Sequence, residues 1–108
     1  MSLVQLEGPR IYSCSKCRTH VAHYDDIVSK CFHGRSGRAY LVNQAVNVKL
    51  GPKEDRVLLT GLHTVCDAIC QNCGLVVGWK YEAANNPSQR YKVGKFIVEK
   101  AKLHKEAW

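Results

Sequence analysis

Two stretches, Cys14-Ser-Lys-Cys17 and Cys70-Gln-Asn-Cys73, decide how this sequence folds, and 52 residues separate them. Two residues between a pair of cysteines let the chain curl until both sulfurs point inward. Two such curls facing each other place four thiolates in a tetrahedron, the arrangement of a structural zinc site with Zn–S bonds of roughly 2.3 Å. A single Cys-x-x-Cys also suits a redox pair. Two in one short chain point instead to one closed four-cysteine zinc centre made by Cys14, Cys17, Cys70 and Cys73. Four protein ligands leave no coordination position for a catalytic water, so the metal is expected to be structural. Lys16 and Lys80, close to the two pairs in sequence, are expected to offset the negative charge of such a centre.

The chain has six cysteines, and an even count in a short chain can also signal a disulfide framework. That requires an oxidising compartment, and the opening residues through Pro9 show neither a basic n-region nor an apolar h-region. The expectation is an unexported protein with reduced thiols. Cys31 and Cys66 remain outside the two pairs. Each reads as a small buried apolar side chain. The alternative is a reactive thiol with His33 or His63 lowering its pKa. His63 and Cys66 are three apart and face opposite sides of a strand, which weakens their pairing.

At 108 residues with 45% apolar and 23% charged content, the chain suits one compact globular domain. Residues 1–9 read as a flexible lead-in and 10–108 as a single domain. The longest charge-free stretch, Ala68 to Trp79, is too short and too polar to span a bilayer. Strands are expected over Arg10–Ser13, His20–Ala22, Ala39–Asn43, Ala45–Leu50, Arg56–Thr60, His63–Ile69 and Leu75–Glu82. Gly51-Pro52-Lys53-Glu54-Asp55 is a turn signal and Asn85-Asn86-Pro87-Ser88 a loop. Phe96–Leu103 is ambiguous: Phe-Ile-Val opens like a strand, yet Ile97, Ala101 and Lys105 would suit one helix face. Such short strands make a thin core, so metal binding should contribute to folding free energy.

The motif Cys14-x2-Cys17-x19-Gly37-x3-Leu41-x5-Asn47-x13-Gly61-x8-Cys70-x2-Cys73-x4-Gly78-Trp79-Lys80-Tyr81, followed by Lys92 and Phe96, resembles the Yippee-like family over residues 10–103. The resemblance implies a mainly β fold of the β-tent type: two antiparallel sheets packed at an angle and pinned by one four-cysteine zinc site. It also implies a zinc protein of the nucleus or cytoplasm, linked to cell division, growth and development. One branch of the family is associated with a ubiquitin ligase. Gly78-Trp79-Lys80-Tyr81 and Leu59-Thr60-Gly61-Leu62-His63 are more similar to the other branch. Fold alone does not settle activity, because β-tent relatives include B-type methionine sulfoxide reductases and an RNA-sensing helicase domain.

Another relative, the thalidomide-binding domain of cereblon, suggests where a ligand would lie. Its aromatic cage resembles Trp79 and Tyr81 here, with His63 where another cage aromatic stands and Asn43 and Gln44 near the segment that supplies polar contacts. Val57 stands close to the place of a further aromatic, which argues against an imide-type ligand. A shallower groove would take a peptide, a modified side chain or a nucleobase. Trp79 and Tyr81 equally suit the core beside the zinc, and the Asn47 amide suits either a ligand contact or the closing of a turn.

The formal charge is +7, with Arg35, Arg38, Lys92, Lys95, Lys100, Lys102 and Lys105 spread along the chain. These read as a solvated face, or, if they converge with Tyr40 and Tyr91, as a single-strand nucleic-acid surface. The expected function is a non-enzymatic, zinc-stabilised module that binds a protein partner as an adaptor or regulatory subunit, without a membrane. Nucleic-acid binding is the alternative, and a methionine sulfoxide reductase-like thiol enzyme the third reading.

Overall fold

The computed structural model describes residues 2–108. Ten strands follow one another: β1 (Ile11–Cys14), β2 (His20–His23), β3 (Ile27–Gly34), β4 (Gly37–Val42), β5 (Val48–Leu50), β6 (Glu54–Leu58), β7 (Gly61–Cys70), β8 (Val76–Ala84), β9 (Phe96–Glu99) and β10 (Leu103–Glu106). The helical segments among the described residues are short 3₁₀ turns. All strand pairs are antiparallel. A three-stranded sheet has the order β10-β1-β2, and a seven-stranded sheet runs β3-β4-β9-β8-β7, with β5 and β6 both pairing β7.

One core joins the two sheets. Tyr12, Cys14, Val21 and Ala22 of the small sheet pack with Tyr40, Val42, Ala68, Cys70, Val77 and Val98 of the large one. On its opposite face the large sheet buries Ala39, Leu41, Val65, Tyr81 and Ile97. Strand alternation explains β4, where Ala39 and Leu41 serve one cluster while Tyr40 and Val42 serve the other. β8 carries two extra residues relative to β7, at Val77 and Glu82. The bulge at Val77 shifts the alternation, so Val77 faces the small sheet while Trp79 and Tyr81 face the other way. Gly78 lies where a Cβ would run into the Ile97 carbonyl, so β8 and β9 can pair this closely only without a side chain there.

The structure redraws several expected elements. Ala45–Leu50 shortens to Val48–Leu50, because Asn47 adopts φ 58°, a left-handed conformation that no strand can contain. Gly51-Pro52-Lys53 does not reverse the chain. It interrupts one edge, so that β5 and β6 lie along the same side of β7. Pro52 could not donate to that ladder. The loop at Asn85–Ser88 tightens into a 3₁₀ turn from Pro87, capped by the Asn86 side chain accepting from the Ser88 amide. Phe96–Leu103 is neither one strand nor one helix. β9 ends at Glu99, a 3₁₀ turn spans Lys100–Lys102, and β10 then joins the small sheet. Residues 2–9 form no strand or helix, yet the Leu6 amide donates to His20 Nδ1 at 2.9 Å and Val4 is held by Asn47.

Candidate metal centre and groove

Each Cys-x-x-Cys sits where a strand ends in a turn, Cys14 closing β1 and Cys70 closing β7. The two turns have the same backbone pattern. Cys14 donates its amide to Thr19 O at 2.7 Å and accepts from Arg18 N at 2.8 Å. Cys70 does the same with Leu75 O and Gly74 N, both at 2.8 Å. The fifth residue of each turn is left-handed, Arg18 at φ 65° and Gly74 at φ 83°. Each turn is also docked by its second residue: Ser15 N bonds Lys102 O at 3.0 Å, and Gln71 N bonds Asn47 O at 2.9 Å. One turn belongs to the small sheet and the other to the large one, so their meeting joins the sheets.

The four sulfurs all lie within 4.8 Å of one another. Cys14 Sγ is 3.5 Å from Cys73 Sγ, and Cys17 Sγ is 3.6 Å from Cys70 Sγ. A disulfide would need about 2.05 Å, whereas sulfurs around tetrahedral zinc sit roughly 3.8 Å apart. The donor set therefore fits one zinc ion, with Cys14 and Cys70 fully buried. Burial pushes the Cys14 thiol up to about 12. At Cys17 burial also acts upward, but hydrogen bonds from Thr19 and Asn72 outweigh it and bring the thiol down to about 6. Cys17 Sγ lies 3.1 Å from Thr19 Oγ1. Lys80 is turned to Glu82, at 3.7 Å, and Lys16 lines the cavity beside Cys73.

A second feature lies on the far face of the large sheet. A cavity of about 890 Å³ has β3 (Cys31–Gly34) and Arg35 along one wall and Arg56–Thr60 along the other. Trp79 and Tyr81 form its floor, and Tyr91 and Lys92 close one end. Trp79, Arg35 and Arg56 also line a neighbouring cavity of about 540 Å³ that reaches Cys73. Trp79 thus stands between the groove and the metal turn. Its Nε1 is buried and has no hydrogen-bond partner among the described residues, and the same is true of His63 Nε2.

Of the expected groove residues, the structure brings Trp79 and Tyr81 together, with ring centroids 6.3 Å apart. Tyr81 is buried, so it belongs to the core as well as to the groove floor. His63 lies behind it at 5.2 Å, 1% exposed, with Nδ1 against Gly61 O at 2.9 Å. Asn43 and Gln44 are exposed beyond β4 and are absent from the lining of both cavities. Asn47 neither lines a cavity nor closes a local turn: its side chain bonds the Val4 backbone and His20 O, bridging segments far apart in the chain.

Lys92 is the residue that a solvated-face reading misses. It is 2% exposed, donates to Thr60 Oγ1 at 2.9 Å, and sits 5.2 to 5.9 Å from the ring centres of Phe32, Tyr81 and Tyr91. Burial pushes its amine down. The apolar run Leu58-Leu59 before Gly61 was the available signal for an unusual hairpin, because such turns favour polar residues. Tyr40 is buried against Tyr12 between the sheets while Tyr91 is exposed, so these two do not share a stacking surface. Cys66 is buried, as expected, with Sγ donating to Glu82 Oε1 at 3.3 Å. Cys31 is exposed, against expectation, because β3 is an edge strand with its side chain on the groove wall.

Two antiparallel sheets riveted by a cluster of four cysteines define a zinc-binding β domain. The Yippee-Mis18 family, described as "Yippee zinc-binding/DNA-binding /Mis18, centromere assembly", matches residues 10–107. A yippee-like protein of Arabidopsis thaliana is 59% identical over 106 residues, covering 98% of this chain and 100% of that one. Protein yippee-like 3 of Homo sapiens is 59% identical over 90 residues, covering 83% of this chain and 76% of that one. The chain belongs to the Yippee-like family. The crystal structure of the Mis18 "Yippee-like" domain superposes with a TM-score of 0.72 over 94% of this chain and 98% of that one, at 18% identity, and so shares the fold.

Proposed function

We propose that this chain is a zinc-pinned, non-enzymatic binding module that presents the groove over Trp79 to a protein partner, as an adaptor or regulatory subunit in the nucleus or cytoplasm. The observation that carries this reading is Trp79 itself. A half-buried indole on the groove floor, edge-on to the Tyr81 ring, gives a ligand a flat apolar face to pack against. Four thiolates fill the coordination shell of zinc, so the metal ties the two sheets together and supplies no reacting position. Among the described residues no helix is long and apolar enough to cross a membrane.

Recovery of bound proteins from cell extract, with wild type and Trp79→Ala side by side, tests this. Proteins lost from the variant alone, at equal zinc content and equal folding, support the groove. Equal recovery returns Trp79 to the core.

Nucleic-acid binding is the second reading, favoured by Lys16, Arg35 and Lys102 around the cavity beside Cys73 and by the family description. Its signature is affinity that falls steeply with salt. A thiol enzyme would need Cys31 or Cys66. Burial and Glu82 raise the Cys66 thiol, so it should alkylate far more slowly than a model thiol at neutral pH, with Cys31 the faster of the two.

A further inference from the structure

The large sheet has two ends, and both form walls of the groove. β3 pairs only with β4 and β6 only with β7 among the described residues. Residues of both strands line the cavity above Trp79 and Tyr81. The sheet therefore curls toward itself without closing, and each rim carries a row of unpaired backbone N–H and C=O groups.

The two rims differ. β3 is irregular, with register shifts between Ile27 and Ser29 and between Ser29 and Phe32, and the Ser29 hydroxyl takes up the Cys31 amide. Bulges and local bonds of this kind blunt an edge against pairing. β6 has no bulge, and its two exposed carboxylates are already engaged, Glu54 by Arg56 and Asp55 by the Thr64 hydroxyl. Its five residues pair with β7 in unbroken register from Glu54↔Val65 to Leu58↔Gly61. Bare apolar side chains stand at its end, Val57 at 85% exposure and, in the turn just beyond the strand, Leu59 at 99%. A regular, unpaired, apolar-tipped edge beside a cavity is a template for one more strand.

Charge identifies the occupant. The cavity lining includes His33, Arg35, Arg56 and Lys92 and no carboxylate. Arg56 is already held by Asp67 at 2.8 Å, and Lys92 by Thr60. Among the described residues Arg35 forms no ion pair and is exposed on the wall opposite β6. We propose that the free edge of β6 receives an extended segment of a partner protein in which acidic and apolar residues alternate. Apolar side chains on one face of that segment then cover Leu58 and Trp79, and carboxylates on its other face meet Arg35 and His33. The inference rests on the adaptor reading and adds the partner's conformation and charge to it.

The test is selection of displayed random 12-residue peptides on the zinc-loaded protein, followed by synthesis of the enriched sequence. The expected result is enrichment of acidic, apolar-alternating peptides and slowed amide exchange in Glu54–Leu58 on binding. Methylating one alternate set of peptide amides should weaken binding about tenfold or more while methylating the other set does not, because only one set faces β6. Arg35→Glu, at an exposed position, should weaken binding by a similar factor at unchanged thermal stability. Enrichment of basic or uncharged peptides, or affinity indifferent to methylation of either set, overturns the strand addition while leaving a groove ligand in place. Failure of all peptides, with Trp79→Ala still losing proteins from extract, overturns this inference alone. If instead a twelve-nucleotide oligothymidine shifts the Trp79 indole signal and no peptide does, both this inference and the adaptor reading fall.

Discussion

Asn47 holds Val4 from both sides: its Oδ1 accepts the Val4 amide at 2.7 Å, and its Nδ2 donates to the Val4 carbonyl at 2.8 Å. The same Nδ2 reaches His20 O at 2.8 Å, while the Asn47 carbonyl accepts Gln71 N of the second metal turn. One buried amide thus links the start of the chain, β2 and the zinc centre. Asparagine suits the place twice over, because it tolerates the left-handed φ of 58° and its side chain can bond as a peptide does.

Asn47→Ala removes these side-chain bonds and leaves a β-carbon in a disfavoured conformation. A loss of roughly 2–4 kcal/mol is expected, read as a lower urea midpoint. Asn47→Gly relieves the backbone and should recover about 1 kcal/mol of it. Amide protection at Val4 and Leu6 should fall in both variants.

Arg18 occupies, in the first metal turn, the left-handed position that Gly74 occupies in the second. Its exposed guanidinium contributes a 2.8 Å contact to His104 and a 3.6 Å ion pair to Glu106, which are worth little at the surface. Arg18→Gly should therefore stabilise the domain by up to about 1 kcal/mol. Gly74→Ala should destabilise it by a comparable amount. Thermal melts of the two zinc-loaded variants check both signs.

Removing zinc with a strong chelator should unfold the domain, because the metal ties β1 of one sheet to β7 of the other across a thin shared core. Loss of the cooperative thermal transition, restored on adding back one equivalent of zinc, is the expected result. Cys14→Ser should behave like the chelated protein, whereas Cys66→Ser should keep its zinc, since Cys66 bonds Glu82 away from the cluster. A domain that stays cooperatively folded with far less than one equivalent of zinc contradicts this architecture.

Tyr12, buried between the sheets against Tyr40, has its phenol pushed up to about 12, first by burial and then by its neighbour. The unfolded chain ionises this group near pH 10, so unfolding releases a proton above that value. Stability is then fully present below pH 10 and falls as pH rises through 12, by roughly 3 kcal/mol at most for this residue. Tyr81, also raised by burial, acts in the same direction, while the lowered amine of Lys92 acts oppositely below its ordinary range. Tyr12→Phe isolates the Tyr12 share. Its denaturation midpoint should decline less steeply than wild type between pH 10 and 12.

Several features were legible without coordinates because they depend on short spacings. Both metal turns follow from two residues between cysteines, whereas the need for glycine before Trp79 comes from the carbonyl of Ile97 on the neighbouring strand and shows only in the fold. The strands around Ala39–Val42 and His63–Cys70 show in their β-branched and aromatic composition. Other readings failed where a single residue broke a run. The left-handed Asn47 cut one strand short, and the turn at Lys100–Lys102 split an apparent helix face across two sheets.

The four metal ligands, the single ion they suit and the β character of the chain are all readable from the residues alone, because local curls and donor chemistry specify a metal shell. Folding in three dimensions was needed to bury Lys92 among rings, to expose Cys31, and to set β3 and β6 facing one another across Trp79. Those outcomes come from the curl of the seven-stranded sheet. Curl accumulates over strand pairs far apart in the chain and over bulges such as Val77, so no short window of residues contains it.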